Sequence, residues 1–137
     1  MSNMTAAQVQ KALATGVARA QEINSPSSIA IIDAGRNLVG FLRMDNALLA
    51  SIEISQRKAY TARSLNMRTG DIMPLVQPGA PLYGMETGHA PPFIVFGGGI
   101  PVEHNGTVIG AVGVAGGMVS DDETVAAAVV AALTADY

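Results

Sequence analysis

The sequence predicts an α+β domain: a five-stranded antiparallel sheet with flanking helices, in the order α-β-β-α-loop-β-β-β-α. Three observations carry this prediction. Segments 5–22, 48–65 and 120–133 repeat apolar residues at helical spacing. Two short runs rich in β-formers, 28–33 and 37–44, flank a turn-forming "AGR". Asn105-Gly106, the strongest hairpin dipeptide, separates two further strand-like runs.

Thr5 with Gln8 forms a capping box, and Val9, Leu13, Val17 and Ala20 give the first helix one apolar face, ended by Asn24, Ser25 and Pro26. "SIAIID" and "NLVGFLRM" follow as a hairpin. Leu48, Ile52, Ala59 and Ala62 mark the second helix, with Glu53 and Arg57 four apart on another face. Residues 69–92 hold five prolines and four glycines, which leaves room for one short helix near 71–76 and then a long ordered loop. "FIVFGGG" and "GGGIPVEH" are strand-like. In "TVIGAVGV" both alternating faces are small or apolar, as in a central strand covered on both sides, where Gly110 and Gly113 allow close approach. Ser120 with Glu123 suggests a second capping box before Val125, Val129, Ala132 and Leu133 of the last helix.

The 137 residues show no internal repeat or linker, so a single domain over 1–137 is expected, and 49% hydrophobic content can supply its core. Eight Lys and Arg against eleven Asp and Glu, a net charge of -3, leave no basic stripe for nucleic acid. Without cysteine, disulfides, thiolate catalysis, zinc-thiolate and iron-sulfur sites are excluded. No signal peptide or bilayer-length apolar run is present, so a cytoplasmic protein without a membrane partner is expected. The glycine-rich stretch lacks the Lys-Ser/Thr of a P-loop, and Asp121, Asp122 and Glu123 would repel phosphate from the helix that follows it.

The blocks "SIAIIDAGRNLVGFLRMD", "ASIEISQRKAYTA", "QPGAPLYG", "IVFGGGIPVEHNGTVIGAVGVAGG" and "DDETVAAA" span nearly the whole chain. Together they resemble the HbpS and GlcG-like family, to which the C-terminal domain of PduO-type corrinoid adenosyltransferases also belongs. The resemblance implies a compact profilin- or PAS-like sheet with flanking helices, homo-oligomers from dimer to octamer, and haem or a related tetrapyrrole as ligand of some members. A histidine of the first helix has been linked to haem in relatives, whereas residues 5–22 here contain none. Iron would need another ligand, for which histidine, tyrosine and methionine all serve.

His89, beside Glu86 in a loop shaped by proline and glycine, can act as a general base, an iron ligand or, with Glu86, a metal ligand. The plain alternative is a solvated loop histidine. His104, next to the hairpin turn, is expected to be exposed. Lys58 borders apolar surface on its helix, as a base of lowered pKa, a hold for a carboxylate or haem propionate, or one half of an ion pair. Arg43 with Asp45 offers an anion hold or a local ion pair, and Tyr83 and Met85 could pack on a flat ligand, bind iron or anchor the loop. The loop is expected to close over Lys58, making one cleft of Lys58, Tyr83, Glu86 and His89 with Gly97 and Gly98 on its bare glycine floor. Two functions follow. One is a small-ligand binding protein of the haem-binding kind; the other is a small cofactor-independent enzyme, an isomerase, tautomerase, lyase or hydrolase of an organic acid, with His89 or Lys58 as base and Arg43 as clamp. A scaffold protein that acts through its surface is a third.

Overall fold

The computed structural model describes residues 4–135. Helix α1 (Ala6–Glu22) is closed by the expected capping box, Thr5 and Gln8 each accepting the other's backbone N–H. Strands β1 (Ser28–Asp33) and β2 (Leu38–Arg43) form the first hairpin, and helix α2 (Ser51–Leu65) follows. The proline-rich region begins with the short α3 (Thr69–Ile72), continued by a 3-10 turn at Met73–Val76, and contains another at Met85–Gly88. Strands β3 (Gly99–His104) and β4 (Thr107–Ala115) precede the last helix, α4 (Val119–Thr134).

The sheet has four antiparallel strands in the order β2-β1-β4-β3. The predicted hairpin at Asn105-Gly106 is present, and both residues take the positive φ, 51° and 76°, that a two-residue turn of matching twist requires. The fifth strand, expected over "FIVF", is absent. There the Ile94 N–H donates to Thr61 Oγ1 at 3.0 Å, and the Gly99 N–H donates to Thr69 Oγ1 at 2.9 Å. Gly98, at φ 127°, turns the chain into β3. An apolar run signals burial, and here helix threonines supply the hydrogen bonds that a sheet neighbour would otherwise make.

Alternation along β1 and β4 divides the core between the two faces of the sheet. Ile29, Ile31, Val112 and Val114 join Val9, Ala12, Val125 and Val129 under α1 and α4. On the other face Ile32 and Ala111 meet Ala59 and Ala62 of α2. This second interface is built from small residues, and its tightest point is Gly113. A Cβ there would run into the Ser55 carbonyl oxygen and stand 2.6 Å from the Ala59 nitrogen. The bare strand residues thus bring α2 against the sheet, as the pattern of "TVIGAVGV" predicts.

Two other expectations are corrected. Helix α2 begins at Ser51, which leaves Leu48 exposed before it, and its inner face carries Ser51, Ser55, Lys58, Ala59, Thr61 and Ala62. Ser120 does not cap α4. Met118 holds the cap position without a side-chain bond, and Asp122 Oδ1 accepts the Gly117 N–H at 3.0 Å.

Candidate functional site

A cleft of about 520 Å³ opens over the outer side of α2. Residues 34–36 of the β1–β2 turn, Arg63 and Ser64 of α2, and His89 and Phe93 of the long loop line it. Asp33 frames the turn: its Oδ1 accepts the N–H groups of Gly35 and Asn37, each at 2.9 Å. These bonds, the one from the Asn37 N–H foremost, draw its carboxyl below the ordinary 3.8 although burial works the other way. Asp33→Ala is expected to cost about 1 kcal/mol of stability. A lowered folded-state pKa gives a contribution present above 3.8 and lost as pH falls through that lowered value. Wild type and Asp33→Ala, compared by urea denaturation, should therefore converge in strong acid.

In the cleft, Arg36 donates from Nη1 to the Tyr60 hydroxyl at 2.8 Å and to Ser64 Oγ at 3.2 Å, with its guanidinium 4.5 Å from the Tyr60 ring centroid. Arg63 donates from Nε to the Ala34 carbonyl and from Nη1 to Asn66 Oδ1, both at 2.8 Å. His89 stacks on Phe93 at 4.4 Å between centroids and meets Tyr60 edge-on at 5.5 Å. Its Nδ1 lies 3.1 Å from the Pro91 carbonyl oxygen. A carbonyl only accepts, so Nδ1 carries the hydrogen, and in the neutral ring Nε2 keeps its lone pair.

Lys58 is not part of this cleft. It is 0% exposed and turned inward, donating to the Val114 carbonyl at 2.7 Å and to Asp122 Oδ2 at 3.0 Å. Burial lowers the Lys58 pKa and raises that of Asp122, and each partner's charge opposes the other's shift. The expected grouping of Lys58, Tyr83, Glu86 and His89 does not form, because the loop closes over Tyr60 and Ser64 and leaves Lys58 on the inner face. Tyr83 is 67% exposed, Met85 and Glu86 are half-buried, and none of the three lines the cleft. Gly97 and Gly98 do not form an open floor: Val119 and Glu123 cover the first, and Lys58 and the Val114 carbonyl cover the second. Arg43 lies in a separate depression with Val17, Leu42 and Asp45, and its Nη2 donates to the Ala47 carbonyl at 2.9 Å. Among the described residues, no group of three or more His, Cys, Asp or Glu side chains is placed to hold a metal ion, and no helix is long and apolar enough to cross a membrane.

Arg36, Arg63 and Phe93 are cleft residues that sequence patterns leave unmarked, and Tyr60 stands beside them, touching Arg36 and His89. Arg36 had one signal, its place in a tight turn where glycine or asparagine is usual. The others come together only through contacts between distant segments.

Comparison with known proteins agrees with this architecture. A 15.0 kDa protein of Citrobacter freundii, encoded between dhaT and dhaS and itself uncharacterised, is 44% identical over 92% of this chain and 89% of its own. The solved PduOC:heme complex superposes with a TM-score of 0.92 at 34% identity, over 96% of this chain and 95% of that one. HbpS superposes with a TM-score of 0.84 at 30% identity, over 97% and 92%. The family model described as haem degrading protein HbpS-like matches residues 4–131, and the chain belongs to that HbpS-like family.

Proposed function

We propose that the protein binds haem or a closely related tetrapyrrole, with the cleft over α2 as its site. The observation that carries this is His89, whose Nδ1–H is committed to Pro91, so that Nε2 is left as a ligand atom in a cleft lined by Phe93, with Tyr60 edge-on against the imidazole from beside it. The residues fit such a group in three ways. A histidine nitrogen suits iron, aromatic side chains suit a flat ring, and arginines suit propionates. The cleft is also within the roughly 300–1,000 Å³ of small-molecule sites. The haem held in the PduOC complex supports the ligand class. His89 thereby takes the part that residues 5–22, lacking histidine, cannot play.

Bound haem would bring an iron centre able to carry electrons or engage dioxygen. The chain's part would be to hold it: His89 would offer Nε2 to the iron, while Phe93 keeps the imidazole plane in place and the Pro91 carbonyl keeps the hydrogen on Nδ1. A homo-oligomer belongs to the same proposal, since Leu48, Leu49 and Met118 are exposed apolar side chains that a second copy would cover. Sedimentation of a concentration-independent monomer would remove that part.

Titration with haemin tests the ligand. Wild type should shift the Soret band and saturate at one haem per chain, and His89→Ala should lose the shift or bind at least about tenfold more weakly. No spectral change with wild type removes haem, and an unchanged His89→Ala spectrum removes His89 as the iron ligand.

A further inference from the structure

Five non-glycine residues among those described have positive φ: Asn24, Arg36, Asn46, Asn66 and Asn105. Four are asparagine, which tolerates this conformation; the exception is Arg36, at φ 67° in the turn beneath the cleft. Glycine or asparagine would fit that backbone with less strain, so the strain at this position is carried for the sake of the arginine side chain. Arg36 and Arg63 also have no acidic partner among the described residues. Asp33, in the same turn, spends its carboxylate on Gly35 and Asn37. In a chain where acids outnumber bases eleven to eight, one cleft holds two guanidinium groups whose neighbours are a hydroxyl, a serine, a carbonyl and an amide. Those neutral acceptors fix both side chains without cancelling their charge, and the Nη2 of each is left for a ligand.

We infer that Arg36 and Arg63 form a carboxylate clamp, so that the cleft selects ligands by their acid groups. The inference rests on the cleft being the binding site proposed above, but it does not need iron. The acid can come from the propionates of a tetrapyrrole or from a small free aromatic acid, and the two sources are separable by experiment.

The test uses metal-free protoporphyrin, followed by its fluorescence, against its dimethyl ester, with phthalate as the small acid, followed by thermal shift. The variants are Arg36→Asn, which suits the left-handed backbone and should melt with the wild type, and Arg63→Gln. Wild type should bind the porphyrin diacid at least about tenfold more tightly than the ester, and Arg36→Asn should bring the diacid down to the ester while leaving the ester unchanged. Equal binding of diacid and ester by wild type overturns the clamp and leaves the tetrapyrrole reading standing. Binding of neither porphyrin, with phthalate raising the Tm of wild type but not of Arg36→Asn, keeps the clamp with a free acid as its ligand and overturns the tetrapyrrole. No response to any of the three overturns both. Should Arg63→Gln lose its structure, Arg36→Asn alone still decides between these outcomes.

Discussion

Lys58→Met is expected to destabilise the protein by about 3–5 kcal/mol, because it breaks a buried ion pair from one side. Methionine can fill the space of the lysine stem, so the loss is electrostatic and falls on Asp122. That carboxylate is buried against α2 and the sheet, with the Gly117 N–H as its remaining partner once Lys58 is gone. Against a total stability of about 5–15 kcal/mol, such a loss is close to unfolding. Adding Asp122→Asn should recover most of it, because the amide oxygen still accepts from Gly117 and no buried charge remains. The pH dependence has a definite sign. Burial already raises the Asp122 pKa above 3.8 with Lys58 present, and more so without it. A raised folded-state pKa favours the native state most below 3.8, and that advantage is lost as pH rises through the raised value. The deficit of Lys58→Met should therefore be smallest in acid and grow toward neutral pH. Urea denaturation at several pH values measures both effects, and a variant that melts with the wild type at neutral pH would show that the pair contributes nothing.

Gly113→Ala is expected to cost about 3 kcal/mol or more, from a single methyl group. The groups it would meet are the Ser55 carbonyl and the Ala59 nitrogen, both helix backbone, so no side-chain rotation relieves the clash. Helix α2 would have to lift from β4, loosening Ala59 and Ala62 from Ile32 and Ala111 and disturbing the base of the cleft. Gly88→Ala is the matched control: nothing lies within 4 Å of its added methyl and its φ is not positive, so its melting temperature should equal that of wild type or exceed it slightly. Equal melting of all three proteins would mean that α2 does not pack as closely as the glycine-bare strand allows.

The parts of the fold legible in the sequence are those whose chemistry is local. The Thr5–Gln8 box closes within one helical turn, Asn105-Gly106 sets its own backbone, and the bareness of Gly110 and Gly113 reports close packing wherever the partner comes from. The errors arise where the partner decides. "FIVF" has strand composition, yet Thr61 and Thr69 take the hydrogen bonds that flank it. A helical pattern places Ala59 and Ala62 on the inner face of α2, as found, but Ser51, Ser55 and Thr61 complete that face, and polar residues there give no sign that Lys58 lies on it too. Asp122 resembles an ordinary first-turn acid until α2 supplies Lys58 at 3.0 Å. His89 was legible as a candidate because few residue types carry its chemistry. Its neighbours Arg36 and Arg63 were not, since only the folded turn and helix bring them to the same cleft.

The central claim, that His89 in this cleft is the atom-level contact to a metallated tetrapyrrole, is open to one direct measurement. The chain has two histidines, His89 and His104, so a nitrogen-proton correlation spectrum contains two imidazoles to be told apart by a His104→Ala sample. Before ligand is added, Nδ1 of His89 should carry a hydrogen, as the Pro91 contact requires. With zinc protoporphyrin, which is diamagnetic and takes one axial ligand, the account predicts that Nε2 of His89 moves strongly while His104 stays in place. A bound porphyrin that leaves the His89 signals where they were would contradict it.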